Sequence, residues 1–480
     1  MESGASEGRG FWQTIKHRKP IIVAVTVSFL NIPHFLNGIS FSAAAHDITG
    51  ALWKWDEQRR MTQISYIVGG ILAYALFAFL FQRYRRKTCL YLVCVCHLTT
   101  SILLLCTNSY WLLHVSRASS AIGDIGAGMF CVIYVSEIAP DEIRGSLVGI
   151  HKMLFNLTEL IPTVMYLLHV PLKSLPFSCI SIVISVFVVI CTYVAVPESP
   201  IYFLRREDNA GAKESLEFLY GNEANVSQLI ANRKKILKAT RSDLQTTTSI
   251  FEECLNRRTL TFTCIAIALY FLRIVVGFWS ARFHVDGVLW KLPKASYNNE
   301  SHFLIIDVCL MLLANLLVLV LCDRVGRKIL IMVSLFTSSI ALIGEGIIFY
   351  VHLLDYNNWK TIRIIFIVFS LLYLISLNLG ISILPEVLIT DIFAPKVLNT
   401  QIAILGSFHL CVDYVIHYEI YNPMEPPLSG YGIFLLFGGL SCIGTLLFFK
   451  FLLETKGRAP GFMFMDTEES VLYSTLDDEE

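Results

Sequence analysis

The sequence predicts an all-α polytopic membrane protein: twelve transmembrane helices in two six-helix bundles, joined by a cytoplasmic helical linker. Three observations carry that prediction. Apolar residues make up 55% of the 480 and charged ones 16%, against about 25% charged in soluble proteins, and the mean hydropathy is +0.61. Apolar segments of about 20 residues, enough to cross a ~30 Å hydrocarbon core, recur along the whole chain. The signals between them also repeat. Arg83-Tyr84-Arg85-Arg86-Lys87 returns as Asp323-Arg324-Val325-Gly326-Arg327-Lys328, 241 positions on. Glu137-Ile138-Ala139-Pro140 returns as Asp391-Ile392-Phe393-Ala394-Pro395 after 254, and Pro197-Glu198-Ser199 as Leu453-Glu454-Thr455 after 256. A chain repeating at half its length is two copies of one unit. In a membrane protein that symmetry marks a transporter.

The elements follow in order. Residues 1–20 lack a signal-peptide pattern, and Arg9, Lys16, Arg18 and Lys19 should hold this end in the cytoplasm. The expected spans lie near 21–43, 62–82, 87–106, 111–137, 146–170 and 174–196, then 259–280, 302–322, 328–351, 361–386, 397–417 and 430–452. An even number returns both termini to one side. The inner connections then collect most of the basic residues, while the outer ones hold few, such as Lys54, Arg59, Lys173, Lys291 and Lys294. The bundles are expected at 21–196 and 259–452, with the linker at 197–258 and an acidic tail at 453–480. Within the linker, 210–219 and 226–237 place apolar residues at helical spacing among charges, as surface-lying helices do. Asn299-Glu300-Ser301 is a glycosylation sequon on an outer loop, whereas Asn225-Val226-Ser227 falls inside.

Composition also excludes functions. Net charge is zero, so nothing points to nucleic acid. The 13 cysteines fall mostly in apolar segments, where they act as small hydrophobes and not as a disulfide framework. His151, His409 and His417 are too scattered for metal ligation. No P-loop, nucleophile motif or catalytic carboxylate pair is present, so neither an enzyme nor a cofactor is expected; the partners are a small solute, the bilayer and, at most, protons. The repeated charges suggest a latch instead. Arginines at inner helix ends can bridge carboxylates and the C-terminal carbonyls of a neighbouring helix. Candidates are Asp323, Arg324 and Arg327, with Glu137 set against Arg144, Asp391 at the end of its span, and Glu198 and Glu454 as receptors.

Arg117 with Gly123, Gly126 and Gly128, then Tyr134-Val135-Ser136-Glu137-Ile138-Ala139-Pro140 and Arg144-Gly145, resembles the fourth-span signature of the sugar porter family in the major facilitator superfamily. Pro197-Glu198-Ser199-Pro200, Asp323 to Lys328 and Glu454-Thr455-Lys456-Gly457-Arg458 are similar to three further motifs of that family. Its insect trehalose and glucose carriers are the branch most resembled. Organic ion carriers usually hold a long cysteine-containing loop after the first span; here 44–61 is short and cysteine-free. The resemblance implies the major facilitator fold, alternating access to a central site, and a plasma-membrane carrier of hexose or trehalose-like sugars, facilitative or proton-coupled.

The departures bear most on the solute. Gln82 replaces the aspartate of the first latch, and Arg85 a glycine, which weakens that latch. Where the family has a sugar-binding glutamine, this chain has Lys152; its seventh-span glutamine pair becomes Arg273 and Ile274, with Trp279 at an asparagine position. The ring-stacking tryptophan of the tenth span becomes Glu386. Charges at mid-membrane cost ~2.5–3.5 kcal/mol even on lenient scales, so they usually face a cavity. Lys152, Arg273 and Glu386 therefore pair as a buried network, bind an anionic or zwitterionic solute, or surround a site where His34, Asn37 and Trp279 still hold a sugar. A relative that senses without transporting is a further alternative. Glu159, Asp124, Asp307, Glu345 and Asp413 are the carboxylates placed to carry a coupled proton.

Overall fold

The computed structural model describes residues 18–49, 55–158, 160–168, 173–221, 226–242, 254–277, 297–354, 359–416 and 430–457. The described residues are almost all helical, with no strand among them. The first half contains α1 (Arg18–Ser28), α2 (Asn31–Thr49), α3 (Trp55–Arg83), α4 (Arg86–Leu105), α5 (Tyr110–Ile138), α6 (Arg144–Thr158), α7 (Leu160–Leu167) and α8 (Ser174–Ala195). The linker supplies α9 (Pro200–Arg205), α10 (Asn209–Tyr220) and α11 (Val226–Ser242). The second half contains α12 (Arg257–Val275), α13 (Tyr297–Leu321), α14 (Arg327–Leu354), α15 (Trp359–Asn378), α16 (Leu384–Ile392), α17 (Pro395–Tyr414) and α18 (Gly430–Phe451).

Each expected span falls on helix over its described part. Eight helical segments, with α1 and α2 taken together as one, are long and apolar enough to cross a bilayer. Two spans are interrupted among the described residues, each just ahead of a proline, which lacks an N–H and whose ring clashes with the carbonyl four residues back. Pro33 follows the turn between α1 and α2, and Pro385 the turn between α15 and α16. The last break is the best supported. Ser334 of α14 donates its hydroxyl to the Ser376 carbonyl at 2.6 Å and accepts the Ile381 amide at 3.1 Å. Gly380 lets the turn press on the Leu330 carbonyl, where a Cβ would lie 2.5 Å away. These contacts rescue backbone groups freed inside a membrane. They also aim Glu386, in the first turn of α16, inward.

Leu72, Val183 and Leu446 belong to a wide exposed apolar surface, as lipid contact requires. α5, by contrast, is mostly buried and central. It packs against α3 and α4, and α3 also runs along α17 of the other half. The linker helices dock at one end of the first half: Tyr220 Oη and Arg233 donate to the carbonyls of Ile138 and Glu137 at 2.7 and 2.6 Å. That end, where α5 finishes and α6 begins, is the linker end.

Candidate functional site

A cavity of 820 Å³ lies between the halves. Its lining reaches Gln63 and Tyr110 at the ends of α3 and α5 remote from the linker, and runs down to Tyr74, Val132 and Ile402. At that floor and just above it the halves close. α3 and α17 approach through glycines: a Cβ at Gly406 would overlap the Tyr74 ring, and one at Gly70 would lie 2.6 Å from Leu410. Small residues permit such close helix approach in a membrane. Gly406→Leu is therefore expected to cost the closed floor about 1–3 kcal/mol. A cysteine at Thr400, deeper in the same contact, should label faster from the linker end; unchanged labelling would refute the role of this packing.

The cavity wall is charged but balanced. Arg117, Lys152 and Arg273 face Asp124, Glu386 and Asp413. Arg273 reaches Glu386 at 3.2 Å, and Lys152 and His151 line the same part of the wall. Lys152 also lies 4.3 Å over the Phe155 ring. Opposite, His34 Nδ1 meets Asp124 at 2.6 Å and stacks on Phe155 with centroids 5.6 Å apart. Nearer the mouth, the Arg117 guanidinium sits between Phe41 and Tyr66, at 4.9 and 4.4 Å.

Of the residues expected around a solute, the structure brings His34, Lys152, Arg273 and Glu386 to this cavity. Asn37 is corrected: it is buried between helices, its amide donating to the His97 carbonyl at 3.4 Å and its oxygen accepting Ser101 at 2.8 Å. It is 1% exposed and is not part of the cavity lining. Trp279 and Glu159 lie outside the described residues, as do the side chains of Asn299 and Asp307. The His34–Asp124 pairing was not legible in advance, because nothing in the sequence says that the two helices meet there.

At the linker end the repeat becomes geometry. Arg86 binds Glu137 with both arms, at 2.9 and 2.6 Å, and also donates to the Phe81 carbonyl. Its backbone N–H and that of Lys87 donate to Glu198 at 2.8 and 3.3 Å. In the second half Arg327 donates to Asp323 at 2.7 Å and to the Cys322 carbonyl at 3.4 Å. The backbone N–H groups of Arg327 and Lys328 donate to Glu454 at 2.9 and 3.1 Å.

Two expectations change here. Glu137 does not pair with Arg144; its partner is Arg86, because the turn after Pro140 swings Arg144 toward the other half. There Arg144 lies 3.6 Å from Asp391, which is also 3.5 Å from Arg327 and accepts Thr455 Oγ1 at 2.9 Å. Arg324 is exposed and joins no ion pair among the described residues. Asp323 crosses the halves, accepting the Ser146 N–H at 2.8 Å and its hydroxyl at 2.5 Å near the positive end of α6. The corresponding contact of the first latch is one neutral bond, from the Gln82 amide to Thr400 Oγ1 at 3.1 Å. Linker Arg205 adds a bond to the Pro395 carbonyl at 2.7 Å.

The family profile described as "Sugar (and other) transporter" matches residues 9–461. The facilitated trehalose transporter Tret1 of Polypedilum vanderplanki is 24% identical over 375 residues, 78% of this chain and 72% of that protein. Tret1 of Bombyx mori is 22% identical over 330 residues, 68% of this chain and 63% of that protein. Among solved structures, the proton:xylose symporter XylE of the major facilitator superfamily, bound to 6-bromo-6-deoxy-D-glucose, gives a TM-score of 0.74 at 19% identity, covering 92% of this chain and 98% of that one. The inward open conformation of XylE from E. coli gives 0.63 at 18% identity, with the same coverage.

Proposed function

The chain belongs to the Sugar (and other) transporter family, membrane carriers and not enzymes, and from that premise we propose that it moves a neutral sugar, hexose or trehalose-like, by alternating access. The observation that carries the choice of a neutral solute is the Arg273–Glu386 pair at 3.2 Å in the cavity wall. It answers one fixed cation with a fixed anion, so a solute need not bring charge. Tyr74, Tyr270 and His409 add hydrogen-bonding groups to that wall.

The linker end faces the cytoplasm of a plasma-membrane protein, with both termini on that side and Asn299 outside. Residues 21–196 and 259–452 rock about the cavity, with 197–258 as linker and 453–480 as tail. Asp323, Arg327, Asp391 and Arg144 hold the inner gate between the halves, while Arg86, Glu137, Glu198 and Glu454 brace it within each half. A proton-coupled mode is favoured by one observation, the 2.6 Å contact of His34 with Asp124 on the cavity wall.

Proteoliposomes holding the purified protein test all of this with labelled trehalose, glucose and a small carboxylate, with and without a proton gradient. Saturable sugar uptake is expected. Uptake of the carboxylate alone overturns the neutral-solute proposal, and sugar binding without uptake points to a sensor. Indifference to the gradient removes the proton.

A further inference from the structure

We propose that Asn156 of α6 and Asn315 of α13 hydrogen-bond to each other across the halves when the linker end opens, and so steady that state of the carrier. In the structure both side chains are buried, at 1% and 0% exposure. All four of their amide atoms lack a hydrogen-bond partner among the described residues. Neither residue lines the cavity, so the solute does not serve them. A buried amide left unmet loses the hydrogen bonds that water gave it. Four such atoms at one contact between the halves call for a use.

The two helices run antiparallel along that contact. α6 leaves the linker end and α13 arrives at it. Ser146 Oγ donates to the Leu319 carbonyl at 2.6 Å and lies 3.7 Å from Cys322 Sγ. A Cβ on Gly149 would come within 2.5 Å of the Leu319 side chain. Asn156 stands seven residues beyond Gly149, and Asn315 four before Leu319. Spacings of three, four and seven keep one face of a helix, so both asparagines sit on the faces that meet. The register leaves them three residues apart, about 4.5 Å along the axes. Each Cα–Cβ bond leans toward the N-terminus of its own helix. In this antiparallel pair the leans are opposed and tilt the two side chains toward one another.

What the shut state withholds, rocking supplies. With the linker end closed, Asp323 grips Ser146 and fixes the spacing of α6 and α13 there. The asparagines lie ten and eight residues from that grip, about 15 and 12 Å along their helices, near the middle of the span. Opening the linker end parts the two helices on its own side and draws them together beyond the pivot. A small closure there lets each amide donate to the other's oxygen, two bonds in place of none. Those bonds offset part of what opening takes from the contact of Arg144 and Arg327 with Asp391.

The proposal rests on the two halves rocking, and its readouts do not involve the solute. Access from the linker end is read as the labelling rate of Thr400→Cys, with the native cysteines separated by peptide mass spectrometry. Asn156→Leu and Asn315→Leu should each slow that labelling about tenfold, since leucine suits the buried shut state and cannot form the pair. The double leucine variant should slow it no further than either alone, because one loss already abolishes the pair. Asn156→Cys with Asn315→Cys gives a second reading that needs no leucine. Oxidative cross-linking between these positions should be faster in the Asp391→Asn background, where the linker end is expected to stay open, than without it. Labelling in Asp391→Asn alone reports the gate by itself, so a failed gate and a failed pair are told apart. Unchanged labelling in both leucine variants would overturn the proposal. So would effects that add in the double variant, or cross-linking that is as fast with the linker end shut.

Discussion

Asp391→Asn is expected to lower transport at least about tenfold while the protein still reaches the membrane, because breaking a buried ion pair costs ~3–5 kcal/mol. Asp391 is 1% exposed and lies 3.6 Å from Arg144 of the first half and 3.5 Å from Arg327 of the second. An amide keeps the shape and the Thr455 bond but leaves two buried guanidinium groups to face each other. That penalty falls on the state in which the linker end is shut, since only there does Arg144 reach across. The lipid-facing surface and the two cores are untouched. The carrier should therefore accumulate with its inner side open and fail to return. Arg327→Ala and Asp323→Asn act on the same contact and should also reduce transport. Arg324→Ala, at an exposed position, should change it little. Uptake and membrane abundance, measured together, decide the matter. Uptake unchanged in Asp391→Asn and Arg327→Ala would mean that the network is not a gate.

The contrast between Arg324 and Arg327 shows what the sequence can and cannot convey. Both stand in one motif three residues apart, yet Arg327 is buried and Arg324 exposed. Motif chemistry gives the kind of interaction but not the rotation of the helix that begins between them. The same holds for Asn37: its span is apolar on most sides, so the face it turns toward His97 could not be read from periodicity. The repeat, however, was fully legible. It predicts that Arg86 and Arg327 share a role, and both backbone N–H groups do meet a carboxylate 2.8–2.9 Å away. What failed was pairing at a distance. Glu137 and Arg144 are neighbours in sequence, but Pro140 between them sends each to a different helix. Asp391 shows the reverse: its partner Arg144 lies 247 positions away, and only the docked halves bring them together.

Glu386→Gln is expected to have the other large effect, and it separates a neutral cavity from a cationic one. Glu386 stands where the resembled family stacks a sugar on tryptophan, and here it receives Arg273 at 3.2 Å. Lys152 lines the same part of the wall as this carboxylate, from the other half. Turning it into an amide leaves two cations in the wall of a site that must close around its solute. If the three form one network, the substitution costs ~3–5 kcal/mol and uptake of every solute falls, together with thermal stability. Arg273→Gln should fail in the same way, since it strands the carboxylate instead. The double variant Arg273→Gln with Glu386→Gln should then recover much of the stability, because both charges leave together and a cycle isolates their coupling. If the cations instead await an anion, Glu386→Gln frees them. Charge-assisted bonds to a carboxylate, roughly twice as strong as neutral ones, would then raise anion uptake. The balanced wall favours the network. A stable Glu386→Gln protein that accumulates carboxylates and ignores hexoses would overturn that conclusion and the neutral-sugar proposal with it.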